Sequence, residues 1–546
     1  MERNQLLTIA AVVAICGSVV PTVAAAGPTL AETGDDWPTD RGDLGRTGVN
    51  AGNAPTGPNA TVERDYPGTG TEFGEPTAPA VVDGTMYVGY DDTGGDVSYQ
   101  SKGHLVAYDA STGDVLWNRS RFPKIRQTPT VTDGRVYVSG RGPYDSGMGQ
   151  VTGDTRGGVF SLNATTGDVR WARNGSDFDR VTGHLVADGR VYVQQPRVLR
   201  ALNATTGATV WSRSDVSADA MAWGNGTLVA VSEGSDGPTV TALDPATGDQ
   251  RWATTTSTDD EYVDPGGVAV ANDTVYVSDG ENNVSALAVD GGSVEWTTAL
   301  RSETGDVPAE SASAPAVAAG VVYVSTTDDA VGTVHAVDAE TGATAWRFER
   351  AEAELFAPTV ANRTVYVGAK QAAEAGHLSA DGVYALNATD GGERWNFARQ
   401  EFIDRSVVST TPASGKVYVT VREREIFFNS GSLYTLESTD EAVGPRHQFR
   451  EGQPVTYEPT LTVTTTPPDA EHRDLDAGTN VTLTANASDP DGTVAAIEWD
   501  LGNTGTVDRS GEHITVPLDY CGTLVVRVRV TDDSGETVSE WIRLST

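Results

Sequence analysis

One phrase recurs along most of this chain: an apolar run ending in Tyr-Val, a loop, a second apolar run, an Asp/Asn-x-x-Thr-Gly turn, and a tryptophan four residues after that glycine. A repeat of that length means one supersecondary unit used many times. The first half occurs at Tyr87-Val88, Tyr137-Val138, Tyr192-Val193, Tyr276-Val277, Tyr323-Val324, Tyr366-Val367 and Tyr418-Val419, with Thr227-Leu228-Val229-Ala230 as a variant, which makes eight copies. The second half leads to Trp117, Trp171, Trp211, Trp252, Trp296, Trp346 and Trp395, and the eighth copy, ending near Glu437 to Pro445, lacks a tryptophan. Successive tryptophans lie 54, 40, 41, 44, 50 and 49 residues apart. Four strands of about five to six residues plus turns fill such a period, the content of one propeller blade. A lone four-stranded sheet cannot bury both faces, so neighbouring copies stack around an axis. The expectation is an all-β chain built as an eight-bladed β-propeller of four-stranded blades.

The turn residues have local reasons. Glycine accepts a positive φ between the third and fourth strands, and the preceding Asp or Asn bonds to turn amides. The tryptophan is expected to cover the end of the turn and pack on the next blade, holding the fold and nothing else. An open ring would expose strand edges, so closure needs a strand from elsewhere. Thr61 to Tyr66 stands in the position of a fourth strand before the first copy, and Arg446 to Arg450 is its rival. Trp37, upstream of all copies, predicts that Trp37 to Arg46 lies against the propeller wall near the seam.

At 546 residues the chain exceeds a single small module, and its 60 glycines and 26 prolines suit short strands and tight turns. Lys plus Arg number 38 against 76 Asp plus Glu, a formal net charge of −38. Such a field repels polyanions, which excludes nucleic acid as a partner. Only Lys102, Lys124, Lys370 and Lys416 are lysines, a carboxylate-rich and lysine-poor balance that fits a halophilic source, of archaeal type. The two cysteines, Cys16 and Cys521, offer no disulfide framework once the first is removed with a leader.

That leader is read from Arg3, the apolar run Leu6 to Val20 and the small residues Ala24-Ala25-Ala26-Gly27, a Sec-type signal cleaved after Ala26. Ile15 before Cys16 fits a lipidation site poorly. An uncleaved anchor from Leu6 to Ala26 is the competing reading, and no later segment is apolar enough to enter a bilayer. The mature chain is therefore expected outside the cell or on its surface. Sequons agree: Asn59, Asn118, Asn163, Asn174, Asn203, Asn225, Asn272, Asn283, Asn362, Asn387, Asn480 and Asn486 each head an Asn-x-Ser/Thr triplet. Several, such as Asn163 and Asn203, also sit where turn chemistry wants Asn or Asp.

The Tyr-Val and Ala/Asn-x-Thr-Thr-Gly-x-x-x-Trp pattern resembles the PQQ-type repeat shared by quinoprotein dehydrogenases and the outer-membrane assembly lipoprotein B family, over about Asp36 to Arg450. Asp36-Trp37-Pro38-Thr39-Asp40-Arg41-Gly42-Asp43 resembles the opening of prokaryotic propellers of this type. No repeat tryptophan follows the Trp-Asp pattern of the WD40 blade. After a polar stretch at Glu451 to Pro454 the periodicity changes. Asn486-Ala487-Ser488-Asp489-Pro490-Asp491-Gly492, Ile497-Glu498-Trp499-Asp500-Leu501-Gly502 and Val526-Arg527-Val528-Arg529-Val530-Thr531-Asp532 resemble a PKD domain, which implies a small immunoglobulin-like β-sandwich with Trp499 in its core. The domain reading is a signal peptide at 1–26, an extension packing on the propeller at 27–60, the propeller at 61–450, a linker at 451–458 and the PKD domain at 459–546.

The quinoprotein resemblance implies PQQ held on the axis with calcium, a catalytic Asp, a stacking Trp and, in many members, adjacent cysteines joined over the ring. None of these is assignable here, and the propeller contains no cysteine. His104, His184, His335, His377, His447, His472 and His513 stand singly, without metal-ligand spacing. No Gly-x-Ser-x-Gly elbow occurs, and Gly147-x-Gly149 leads into no helix. In the PKD region Asp489, Asp491, Asp500 and Asp532 are calcium candidates if they converge, with solvated turn carboxylates as the alternative.

Just before each innermost strand stands a charged residue: Glu75, Arg126, Arg180, Asp219, Asp264, Glu310, Glu354 and Arg405. Five carboxylates and three arginines would ring the funnel at one mouth, where propellers preferentially bind, and these are the ligand-binding candidates. The expected function is a non-catalytic binding and scaffolding protein of the cell surface, with no cofactor, contacting envelope or extracellular proteins or glycans. The alternatives are a PQQ- and calcium-dependent alcohol or sugar dehydrogenase and an extracellular sensor domain.

Overall fold

The computed structural model of the chain describes its residues outside 1–35, 53, 56–58, 67–73, 93–101, 142–156, 179, 235–236, 257–264, 280–281, 301–310, 329–330, 352, 373–378, 402–403, 425–428, 440–459, 469, 471–474, 476–477, 489–492, 502–506, 519–522, 534–536 and 546. The export signal, the rival closing strand and the linker lie outside the described residues.

Eight sheets follow one another along the chain, at 80–122, 124–174, 183–213, 220–255, 265–299, 311–351, 353–401 and 404–439. Each is antiparallel with its strands in chain order. The first strand is buried, as in Gly183–Ala187, while the fourth alternates exposed and half-buried residues, as in Gln250–Thr255. The first strand is therefore innermost. In the second, sixth and seventh sheets it is split in two, and a proline, which offers no amide to the ladder, stands in each gap: Pro129, Pro315 and Pro358.

The Tyr-Val strand works through its period of two. In Arg190–Gln195, Val191 and Val193 pack back on the second sheet with Tyr137 and Val159, whereas Tyr192 packs forward with Met221 and Leu228 of the fourth. The same alternation recurs around the molecule. Eight apolar clusters each join two successive sheets, and the last unites Ala413, Tyr418 and Leu433 of the eighth with Val88 and Tyr108 of the first. The ring is closed by packing. It is also closed by pairing, because Asn59–Asp65 adds antiparallel to Asn429–Thr439 as the outermost strand of the eighth sheet. The closing strand is thus the expected segment around Thr61 to Tyr66, starting two residues earlier.

Six of the seven repeat tryptophans grip the turn of the next sheet. The indole N–H donates to a corner carbonyl: Trp117 to Ala164 (2.9 Å), Trp171 to Ala204 (2.9 Å), Trp211 to Pro245 (2.9 Å), Trp252 to Val289 (2.7 Å), Trp296 to Ala339 (3.1 Å) and Trp346 to Ala388 (3.0 Å). The ring face lies on the turn glycine, so that a Cβ at Gly207 (φ +70°) would stand 2.7 Å from the Trp171 ring. Where the eighth copy lacks a tryptophan, Tyr66 takes its role and donates to the Ala110 carbonyl at 3.3 Å. Gly189 (φ +67°) has nothing within 4 Å of its would-be Cβ. Gly189→Ala is therefore expected to cost about 1 kcal/mol through the left-handed backbone alone. Gly207→Ala is expected to cost about 1–3 kcal/mol more through the clash. Urea melts of the two variants check this, and equal losses would remove the indole from the account.

The C-terminal unit has two sheets, one of Thr460–Thr466, Asn480–Ser488 and His513–Pro517, the other of Arg509–Ser510, Val494–Leu501, Thr523–Asp532 and Thr537–Ser545. Trp499 is fully buried among Val481, Leu483, Val526, Val528 and Leu544, with its indole N–H on the Gly511 carbonyl at 2.8 Å.

Candidate functional site

The innermost strands present free backbone edges to the axis, and buried amides there need partners. The segment from Trp37 to Asn50 supplies them. The Val81 N–H donates to the Trp37 carbonyl (2.9 Å), Val131 to Pro38 (2.7 Å), Trp223 to Leu44 (2.8 Å), Val270 to Gly45 (2.7 Å), Val317 to Thr47 (2.7 Å) and Val360 to Gly48 (2.8 Å). Arg46 donates to the His184 carbonyl of the third sheet, and Asn50 to the Pro412 carbonyl of the eighth. The segment reaches all eight sheets: its backbone carbonyls meet the first, second, fourth, fifth, sixth and seventh in chain order, and the side chains of Arg46 and Asn50 reach the third and eighth. Two glycines allow it: a Cβ at Gly45 would stand 2.3 Å from the Val270 carbonyl oxygen, and one at Gly48 (φ +69°) 2.6 Å from the Arg41 guanidinium.

This corrects the expected wall location of Trp37 to Arg46. Trp37 does sit at the seam, in the cluster shared by the first and eighth sheets. The residues after it leave the wall and follow the inner edge, because unpaired inner amides offer hydrogen bonds that an outer wall does not. The missed signal was glycine at every third position, Gly42, Gly45 and Gly48.

Polar groups of the segment are held inside the ring. Arg41 donates to the carbonyls of Pro315 (2.9 Å) and Pro358 (3.0 Å), and burial lowers its guanidinium to about 10. Arg46 pairs with Asp40, and Asp43 caps the Thr47 amide at 2.9 Å. His184, buried, bonds through Nδ1 to the Ser139 hydroxyl at 2.9 Å. Burial first, then the neighbouring Arg46, lowers its imidazole to about 4.

The carbonyls of the segment meet six inner strands close to the turn into the second strand. That turn is bonded to the corner between third and fourth strands of the same sheet, as by Ala164 N–H to the Gly134 carbonyl and Ala204 N–H to the Gly189 carbonyl. Both turns thus mark one end of the ring, the turn end. The inner edges of six sheets are lined there by the protein's own backbone. At this end a cleft of about 430 Å³ opens between the first and second sheets beside Asp36, Pro38, Tyr87 and Trp117, but both aromatic polar groups are already bonded to the Ala164 carbonyl.

The described charged candidates stand at the opposite ends of the inner strands, and their bonds are structural. Arg126 and Lys124 both reach the buried carboxylate of Asp91 in the first sheet, at 2.9 and 3.1 Å. Glu75 pairs with Arg422 of the eighth sheet at 3.2 Å. Both ties cross between neighbouring sheets. Asp219 accepts the Glu233 amide at 2.9 Å, Arg180 is exposed and bridges its backbone to Arg141, and Glu354 is exposed in Ala353–Leu355. Asp264 and Glu310 lie outside the described residues, as does the side chain of Arg405. Asp91, which sequence reasoning missed, anchors the best-connected group.

Among the described residues no group of three His, Cys, Asp or Glu side chains converges to hold a metal. The repeat tryptophans are committed to the outer turns, and the turn end of the axis holds Arg41 and Arg46. In the C-terminal unit Asp500 is buried, Asp489 and Asp491 lie outside the described residues, and so does the Asp532 side chain.

Fold and repeat together define a β-propeller protein of the PQQ-type repeat class carrying a PKD domain. The family model described as outer membrane protein assembly factor BamB matches residues 46–146, 139–302, 236–398 and 306–440, and the PKD domain model matches 461–541. The chain belongs to that BamB-type repeat family. Among solved structures it is similar to the quinohemoprotein alcohol dehydrogenase from Comamonas testosteroni, with 15% identity, 76% of this chain and 83% of that chain covered, and a TM-score of 0.53. It is also similar to a quinohemoprotein alcohol dehydrogenase from Pseudomonas putida, with 13% identity, 78% and 83% covered, and a TM-score of 0.51. These likenesses concern the fold. A curated relative, the serine/threonine-protein kinase AfsK of Streptomyces griseus, is 30% identical over 226 residues, 41% of this chain. The match spans 23% of the kinase's length.

Proposed function

We propose that this is an exported, non-catalytic binding and scaffolding protein of the cell surface, which contacts envelope proteins or glycans through the open end of its ring and through its PKD module. The observation that carries the reading is the lining of the inner edges at the turn end by residues 37–50, with the described charged candidates at the other end. A ring whose inner edges are taken up by its own backbone at one end offers the other mouth to partners, and that mouth carries charge of both signs. The family's name speaks of assembling outer-membrane proteins; what comes to this chain from it is protein contact alone.

The test uses full-length protein in strong salt. Arg126→Ala, Arg180→Ala and Arg405→Ala are combined, and co-sedimentation with washed envelopes of the source cells is compared with the parent chain. The parent is expected to sediment and the triple variant to lose at least tenfold, with melting still cooperative. Equal sedimentation removes the rim as the contact. Dye reduction with alcohols or sugars after adding PQQ and calcium would replace the binding reading by the dehydrogenase reading.

A further inference from the structure

Twelve of the 19 asparagines head an Asn-x-Ser/Thr triplet, whereas a chain with 101 Ser and Thr among 546 residues would place about three or four by chance. Turn chemistry alone does not explain the excess, and the repeat carries its own control. At the outer corners, between third and fourth strands, Asp and Asn do the same structural work. Asp244 accepts the amides of Ala246 and Thr247 (2.9 and 3.2 Å), and Asp338 those of Glu340 and Thr341 (3.2 and 2.8 Å). Asn163 accepts those of Thr165 and Thr166 (2.9 and 3.2 Å), and Asn203 those of Thr205 and Thr206 (3.1 and 2.9 Å). At the inner corners Asp133 and Asp188 adopt the same left-handed backbone as Asn225, Asn272 and Asn362, with φ between 46° and 51°.

The choice between Asp and Asn follows the residue two positions on. Asn163, Asn203, Asn225, Asn272, Asn362 and Asn387 are all followed at that position by threonine. Asp133, Asp188, Asp244 and Asp338 are followed there by Arg, Arg, Ala and Glu; Asp83 and Asp109, before Thr85 and Ser111, are the exceptions. A cap needs no such coupling, because at these corners the second residue on gives the cap its backbone amide, which any residue but proline supplies. A modifying enzyme that reads Asn-x-Thr does need it.

The geometry agrees. The described bonds of Asn163, Asn203 and Asn387 use Oδ1 and leave Nδ2 unengaged, and Thr165, Thr205 and Thr389 are exposed. Asn225, Asn272 and Asn362 are themselves exposed, whereas Thr227 and Thr364 of their triplets are buried in the folded ring. Asn283, away from the corners, gives its Nδ2 to Asp279 at 2.9 Å. All six corner asparagines lie at the turn end.

We propose that Asn163, Asn203, Asn225, Asn272, Asn362 and Asn387 are N-glycan attachment sites, which load the turn end of the ring with sugar and leave the opposite end to partners. In the transfer, Nδ2 forms a bond to the anomeric carbon of a polyprenyl-phosphate-linked oligosaccharide. The bond from that carbon to the lipid phosphate oxygen breaks, the amide proton passes to a base of the transferase, and the lipid phosphate leaves with the bonding pair. Nothing is oxidised or reduced.

The inference rests on export, one part of the proposed function, and not on the ligand. Full-length protein recovered from the surface of its source cells is digested and its glycopeptides mapped by mass spectrometry. The six corner peptides are expected to carry glycan, and the Asn283 peptide none. Combining Asn163→Asp, Asn203→Asp and Asn387→Asp should remove three glycans while leaving the melting temperature of deglycosylated protein unchanged, since Asp244 and Asp338 cap equivalent corners. Unmodified corner peptides on surface-recovered protein overturn the sites alone. Recovery only from the cytosol overturns the export reading as well.

Discussion

A chain beginning at residue 67 is expected to lose cooperative folding and to aggregate. Two devices go with the deleted residues. The first is Asn59–Asp65, the outermost strand of the eighth sheet, with Tyr66 at its end; without it Asn429–Thr439 becomes an exposed edge, a template for pairing with another chain. The second is the segment 37–50, which satisfies inner-edge amides of the first, second, fourth, fifth, sixth and seventh sheets. A buried amide left without a partner costs about 1–3 kcal/mol. Six of them approach the whole stability of a folded domain, about 5–15 kcal/mol. Sedimentation velocity and thermal unfolding check the result. A monomeric, cooperatively melting truncated chain would show that inter-sheet packing alone closes the ring.

Acid is expected to destabilise the ring well before its carboxylates are neutralised. His184 and His335 are buried as neutral imidazoles, lowered to about 4 and about 3 chiefly by burial. Arg46 adds to the shift at the first and Arg347 at the second, while Asp40 opposes it at the first. Above pH 6.5 neither state binds a proton and the shift contributes nothing. Between 6.5 and about 4 only the unfolded chain protonates, so stability falls by about 1.4 kcal/mol per pH unit for each histidine. The two together remove about 5 kcal/mol between pH 6.5 and 4.5. Urea midpoints across that range, in strong salt to screen the surface carboxylates, measure the slope. His184→Gln with His335→Gln is expected to flatten it; an unchanged slope would assign the acid limb to other groups.

The architecture was legible because its determinants are local and repeated. Tyr-Val alternation, the turn glycine and the tryptophan four residues later each act within one sheet and its neighbour, so the period carries them into the sequence. Tyr66 shows where that legibility stops: as a tyrosine outside the phrase it fills a tryptophan's role only by virtue of the closing strand. The route of residues 37–50 was misplaced for the same reason. Its partners are backbone amides up to about 320 residues away, such as that of Val360, and backbone amides leave no mark in a sequence. The rim was found as positions but not as contacts. Asp91 lies 35 residues before Arg126, at the far end of another strand, and no spacing rule joins them.

Because carbonyls of residues 37–48 meet six of the eight inner strands in chain order, the segment acts as a gauge of ring size. A ninth repeat would add a further inner edge with no carbonyl to meet, and a seventh-copy deletion would leave one carbonyl with no amide. Propellers built from near-identical modules gain and lose copies readily, since each added sheet finds the same neighbours as the last. Here the count is written a second time, in a stretch of fourteen residues outside the repeats. Duplication of a repeat would therefore have to be matched by a change in that stretch, which ties the evolution of the ring to that of a segment outside it.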